Sequence, residues 1–200
     1  MEGKLIVIEG IDGAGTETQS NLLQGYLKKK GIPAERLTYP DYSHPTGKII
    51  HEYLHKKFEL PNEVLVLLHL ADRAKDAKKI KRWLEDGRIV IADRYATSAM
   101  AYQGFAGFPV EKIIQIAEMV GIPRPDFIVY LNVSAETSMQ RKLKEKPELD
   151  RNEENKELMK SMGEFYLELA EKNTFGKWFV VDGEKPKQEV FELVRNAAGL

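Results

Sequence analysis

The stretch Lys4-Leu-Ile-Val-Ile-Glu-Gly-Ile-Asp-Gly-Ala-Gly-Thr-Glu-Thr-Gln19 decides the fold of this chain. Its apolar run Leu5 to Ile8 reads as a buried parallel strand, and Gly10, Gly13 and Gly15 then turn tightly into a helix beginning near Thr16. Strand, glycine turn and helix start in that order form the frame of a phosphate-binding loop. Glycines let backbone N–H groups approach phosphate oxygens, and the helix N-terminus adds partial positive charge. In the pattern G-x-x-x-x-G-K-[ST], Gly10 and Gly15 are the two glycines, Thr16 fills the lysine slot and Glu17 the hydroxyl slot. The scaffold for a nucleotide phosphate is therefore present, while two side chains expected on it are replaced. The phosphate-binding set expected here is Gly10, Gly13, Ala14, Gly15, Thr16, Glu17 and Thr18.

Beyond this loop, apolar strands alternate with helical patterns: Ala34–Thr38, Arg88–Ala92, Phe127–Leu131 and Trp178–Val181. The alternation predicts an α/β fold, a parallel sheet between helices on both faces. No repeat, linker or low-complexity tract divides residues 1–200, so one domain is expected. Pro61-Asn62-Glu63 reads as a helix start before the periodic run Val64 to Leu84, and Ser134 as another. The charged stretch Arg141 to Lys156 reads either as a solvated helix face or as a lid over phosphates.

The bulk numbers narrow the partners. A net charge of −1 gives no general pull toward nucleic acid, and no long apolar span points to a membrane. With no cysteine, disulfides and thiol chemistry are excluded, and the expected compartment is the cytoplasm. Ligands of parallel sheets bind beyond the carboxyl ends of the strands. Three of those ends carry suggestive residues: Glu9-Gly10, Tyr39-Pro40-Asp41 and Asp93-Arg94-Tyr95. A carboxylate at Asp93 suits magnesium or acceptor positioning, and the planar fork of Arg94 suits a second phosphate. Tyr39-Pro40-Asp41 by itself reads as a turn, and His69 within Leu68-His-Leu-Ala-Asp-Arg73 as an interior polar group of a core helix. Ser98, Tyr102 and Gln103 combine hydroxyls, an aromatic ring and an amide suited to a nucleobase edge.

Taken together, these pieces resemble the thymidylate kinases, a family of P-loop nucleoside monophosphate kinases. The resemblance runs from Leu5 to about Asp182 and rests on Glu9-Gly-Ile-Asp-Gly-Ala-Gly15 with Thr18-Gln19, Tyr39-Pro-Asp41, Ala71-Asp-Arg73, Asp93-Arg-Tyr95 with Tyr102-Gln103-Gly104, Pro123-Arg-Pro-Asp126 and Asp150-Arg151. It implies a three-layer sandwich with a five-stranded parallel sheet and a lid near 141–156, and transfer of the ATP γ-phosphoryl to dTMP with Mg2+, giving dTDP. It also implies a homodimer. Asp12 would meet the deoxyribose, Arg94 the acceptor phosphate, and Asp93 the metal and acceptor. Arg73 would reach the thymine, with Tyr102 and Gln103 framing base and sugar, and Tyr39, Asp41, His69 and Ser98 belonging to the same acceptor site. Arg141 and Arg151, with Lys142, Lys144 and Lys146 behind them, would close over the ATP phosphates. The family divides on whether the P-loop carries an arginine. That slot is Gly13 here, so the transfer cation is expected from the lid.

Three departures follow. Thr16 replaces the lysine that bridges donor phosphates, Glu17 puts a carboxylate where a small hydroxyl usually meets the metal, and His69 stands where a phenylalanine usually stacks on thymine. A charge 4 Å from phosphate is worth about 4 kcal/mol at an effective dielectric near 20, so the lost lysine needs compensation. Glu17 has three outlets: solvent, a lid base or the metal. Two alternatives stand beside the kinase: a nucleotide-binding homologue with little or no catalysis, and a deoxynucleoside kinase.

Overall fold

The computed structural model describes residues 2–145, 151 and 155–200. The expected Lys146 and Asp150 lie outside the described residues.

The central strand is β1 (Lys4–Glu9), whose Leu5, Ile6, Val7 and Ile8 are fully buried. An unbroken apolar run is what a strand covered on both faces requires, and each such side chain contributes about 1.5–3 kcal/mol relative to exposure. On one side lies β3 (Ile89–Asp93), buried along its whole length, with β2 (Ala34–Thr38) at the edge. On the other lies β4 (Phe127–Asn132), then β5 (Lys177–Asp182) at the opposite edge. The order β2-β3-β1-β4-β5 is parallel throughout, the five-stranded sheet that the alternation predicts.

Helices form the crossovers that parallel strands need. After β1 comes α1 (Thr16–Lys29), and β2 leads to α2 (Pro45–Leu54), α3 (Asn62–Ala74) and α4 (Ala77–Glu85). Between β3 and β4 run α5 (Ala96–Phe105) and α6 (Val110–Met119), and between β4 and β5 run α7 (Ala135–Glu145) and α8 (Lys156–Glu171). The last is α9 (Lys187–Ala197). α1 packs with α9 and α5 packs with α3 and α8, two groups that flank the sheet.

The run Val64 to Leu84 is two helices, interrupted at Lys75 and Asp76. There Asp76 accepts the Tyr39 hydroxyl at 3.0 Å and Lys75 pairs with Asp41 at 3.1 Å, pinning the break to the loop after β2. Apolar periodicity continues across such a break because the core face does not change. The register sets Thr38 and Ile8 beside Asp93, so the ends of β1, β2 and β3 meet at one edge.

Candidate active site

The glycine loop is shaped by backbone that side chains rarely adopt. Gly13 has φ +83° and Gly15 +95°, and a Cβ on Gly13 would lie 2.6 Å from the Ser138 carbonyl oxygen. That close approach seats α7 on the loop. The Ser138 hydroxyl donates to the Asp12 carbonyl, and Arg141 donates to the carbonyls of Ala14 at 3.3 Å and Gly183 at 3.0 Å.

One wall is built around Arg94. Its backbone is left-handed, φ +63°, a conformation costing roughly 1–2 kcal/mol in a residue with a Cβ. The surroundings fix it there: Arg94 N–H donates to the Ile8 carbonyl at 3.0 Å, and the next N–H, of Tyr95, donates to Glu9 Oε1 at 3.0 Å. The guanidinium so aimed donates to Asp12 Oδ1 at 2.6 Å and to the Gly10 carbonyl at 2.9 Å, and the Tyr102 hydroxyl donates to Asp12 Oδ2 at 2.9 Å. Burial opposes the Arg94 charge, but Asp12 and the surrounding oxygens overcome it and raise its pKa well above the ordinary value. Beneath lies Glu9, fully buried, which accepts from Tyr95 N–H and the hydroxyls of Thr97, Ser98 and Tyr166. Burial still leaves the Glu9 pKa raised, against the pull of Arg94 and those hydroxyls.

Next to Arg94, at the end of β3, stands Asp93, only 3% exposed. Burial raises its pKa, opposed first by a hydrogen bond from the Thr16 side chain and then by Arg94 and Arg36, while Glu17 pushes it further up. Arg36, in the middle of edge strand β2, donates through Nη2 to Asp93 Oδ2 at 2.9 Å and through Nε to Ser20 Oγ at 2.8 Å.

A pocket of about 890 Å³ opens at this edge of the sheet. Asp12, Gly13, Gly15, Thr16, Glu17 and Thr18 line it on the loop side, with Asp93, Arg94 and Ser98 beside them. Tyr39, His69, Arg73, Tyr102 and Gln103 line its far end. Arg73 is buried and donates to His69 Nδ1 at 3.0 Å, with its guanidinium 5.1 Å from the Tyr39 ring centroid. Burial, then Arg73 and Arg94, hold the His69 pKa well below its usual value, so the imidazole is neutral. Because Arg73 donates to Nδ1, the ring proton sits on Nε2. Arg73 Nε and Gln103 Oε1 are buried and lack a hydrogen-bond partner among the described residues.

Several expected residues stand elsewhere. Gly10, Ala14, Asp41, Arg141 and Arg151 do not line the pocket. The Ser98 hydroxyl, which does face this region, is committed to Glu9. Hydrogen bonds from Ser43 hold the Asp41 carboxyl down at about 2. Arg151 forks onto Glu59 at 2.7 and 2.8 Å and lies 4.4 Å over the Tyr53 ring. Arg36, a lone cation inside a strand, escaped the sequence reading, and Glu9, a charge closing an apolar run, was marked only by its strand end. Each left that local mark, but its partner lies far away along the chain.

As for a metal, the described residues bring no three His, Cys, Asp or Glu side chains together as a cage. Glu17 and Asp93 both face the pocket, and Mg2+ bound with nucleotide phosphates takes only one or two carboxylates from the protein. The donor set fits such an ion.

A glycine loop opening a helix, a carboxylate and arginine at the neighbouring strand end, and a deep pocket spanning both define the class of P-loop phosphotransferases. The family model described as thymidylate kinase matches residues 8–194. A thymidylate kinase of Fervidobacterium nodosum is 35% identical over 195 residues, covering 95% of this chain and 96% of the relative. One of Carboxydothermus hydrogenoformans is 37% identical over 198 residues, 96% and 94% of the two chains. A probable thymidylate kinase of Methanocaldococcus jannaschii is 38% identical over 189 residues, 94% and 92%. This chain belongs to the thymidylate kinase family.

Proposed function

We propose that this chain, acting as one domain in the cytoplasm, transfers the γ-phosphoryl group of ATP to dTMP, giving dTDP and ADP. The observation that carries the reading is the Arg94 guanidinium on Asp12, which also accepts the Tyr102 hydroxyl, set beside Asp93 and the glycine loop in one pocket. An oxygen of the acceptor phosphate attacks the γ-phosphorus, the bond to the β–γ bridging oxygen breaks, and ADP departs. Protein chemistry here is positioning and charge neutralisation. Backbone N–H groups of Gly13 to Thr18 receive the donor phosphates, Arg94 the acceptor phosphate, and Asp12 the deoxyribose. Asp93 and Glu17 would hold the Mg2+ that accompanies ATP, which when bound would supply charge neutralisation at the donor phosphates.

At the far end, Arg73 brings a guanidinium donor and Gln103 a side-chain amide, groups that suit a ring with a 4-oxo acceptor and an N3–H donor. Thymine and uracil have that edge, whereas cytosine reverses it. Tyr39 and His69 complete this end, and Tyr102 closes it toward the sugar. Arg141 holds the loop and Arg151 the segment near Glu59, as parts of a lid over the donor. The apolar side chains exposed on α3 and at the end of α6, Leu67 at 55% and Met119 at 78%, support a homodimer through that face, testable by sedimentation. Among the described residues no helix is long and apolar enough to cross a membrane.

The test is turnover with Mg-ATP of dTMP, dUMP and thymidine. Phosphorylation of dTMP is expected. Turnover of thymidine in its place would make the chain a deoxynucleoside kinase, and binding without any turnover would make it a non-catalytic homologue.

A further inference from the structure

The first turn of α1 brings no cation to the donor phosphates. Thr16 lowers the Asp93 pKa without carrying a charge, and Glu17 adds negative charge beside it. A positive group reaches the same carboxylate from another element. Arg36 lies two residues before Thr38 on β2, on the same face, and Thr38 lines the pocket. Its guanidinium runs between α1 and β3, held by Asp93 Oδ2 at 2.9 Å and Ser20 Oγ at 2.8 Å. Ser20 stands one helical turn beyond Thr16 on the same stripe of α1, and its hydroxyl in turn donates to the Glu17 carbonyl at 2.9 Å. The cation thus sits against the helix turn and the carboxylate that frame the lysine slot.

An ordinary strand-to-strand ion pair is the plainer account. Yet β2 is already joined to β3 by the ladder from Ala34–Ile89 to Thr38–Asp93, and a largely buried pair gains little net stability after desolvation. A guanidinium also keeps its charge where a lysine would lose part of it.

We propose that Arg36 is the donor-side cation of this enzyme: reaching in from the neighbouring strand, it holds Asp93 in place and supplies the positive field that the P-loop lysine would have given. The inference rests on the phosphoryl-transfer reading, but its test is a binding measurement. Arg36 acts through Asp93 and is a positioning residue.

The experiment is calorimetric titration of ATP into the full chain in EDTA, without metal, for the unaltered protein, Arg36→Gln, Thr16→Lys and the double variant. Arg36→Gln is expected to weaken ATP binding about thirtyfold, with dTMP affinity moving far less. Thr16→Lys is expected to gain about thirtyfold in the Arg36→Gln background but under fivefold in the unaltered one, because a cation already serves the site. Equal gains in both backgrounds, or ATP affinity of Arg36→Gln within threefold of the unaltered protein, overturn the proposal. Should Arg36→Gln fail to fold by circular dichroism, the Thr16→Lys single variant decides: a gain below fivefold supports the proposal and a larger one sinks it. Failure of dTMP turnover would remove the transfer reading without touching these affinities.

Discussion

The two flanks of the glycine loop are built by different logics. On the acceptor flank, Arg94 from the end of β3 and Tyr102 from α5 both donate to Asp12 in the loop, and Glu9 at the end of β1 holds the Tyr95 N–H beneath them. On the donor flank, the residues a P-loop ordinarily brings in its own first turn are absent, and Asp93 is served instead by Thr16 and by Arg36 from an edge strand. The first flank is local and preassembled. The second is rewired across elements, so the same charge bookkeeping is met by a residue that no motif would name.

Substitutions sharpen that contrast. Arg94→Ala should lower dTMP turnover about a thousandfold in a steady-state assay, the scale of losing a preorganised charged donor in a dry site. A fall under tenfold would mean that the acceptor flank is not where charge is managed. Arg141→Ala frees the Ala14 and Gly183 carbonyls that anchor the loop and should raise the KM for ATP about thirtyfold, whereas exposed Lys28→Ala should leave it unmoved. Equal effects would remove Arg141 from the donor flank. His69→Phe should change the dTMP to dUMP preference by about three- to tenfold, the range of one modest contact in a base pocket. Because His69 is already neutral, dTMP affinity should not show a His69 titration between pH 6 and 8.

The smallest effect concerns Glu9. Its folded-state pKa is raised above 4.5, so the folded protein holds a proton more tightly there than the unfolded chain does. That contribution is fully present below pH 4.5 and is lost as pH rises through the raised folded value. Thermal unfolding should show the unaltered chain losing stability relative to Glu9→Gln as pH rises above 4.5. Identical slopes would show that Glu9 is ionised in both states.

The sheet was legible because buried strands write themselves as apolar runs: β1, β3 and β4 each lie within about a residue of their predicted bounds. The acceptor flank was legible because Asp12, Arg94 and Tyr102 stand close to glycines or strand ends that betray them. Arg36 was not, since a single cation in a half-exposed edge strand looks like solvent-facing decoration until Asp93 is brought beside it by the fold. The break at Lys75–Asp76 was hidden for the same reason: Tyr39 and Asp41, which hold it, are more than thirty residues earlier in the chain. The lid motif marks Arg151 as a cation, while its pairing with Glu59 depends on a contact between distant segments that no motif displays.

The left-handed backbone at Arg94 carries a consequence of its own. A glycine there would relax the chain, so Arg94→Gly should be more thermally stable than Arg94→Ala by about 1 kcal/mol while being equally inactive. The residue at the heart of the pocket is thus one that folding alone would discard. A side chain held at that angle aims its guanidinium at Asp12 and the Gly10 carbonyl, where a glycine would aim nothing.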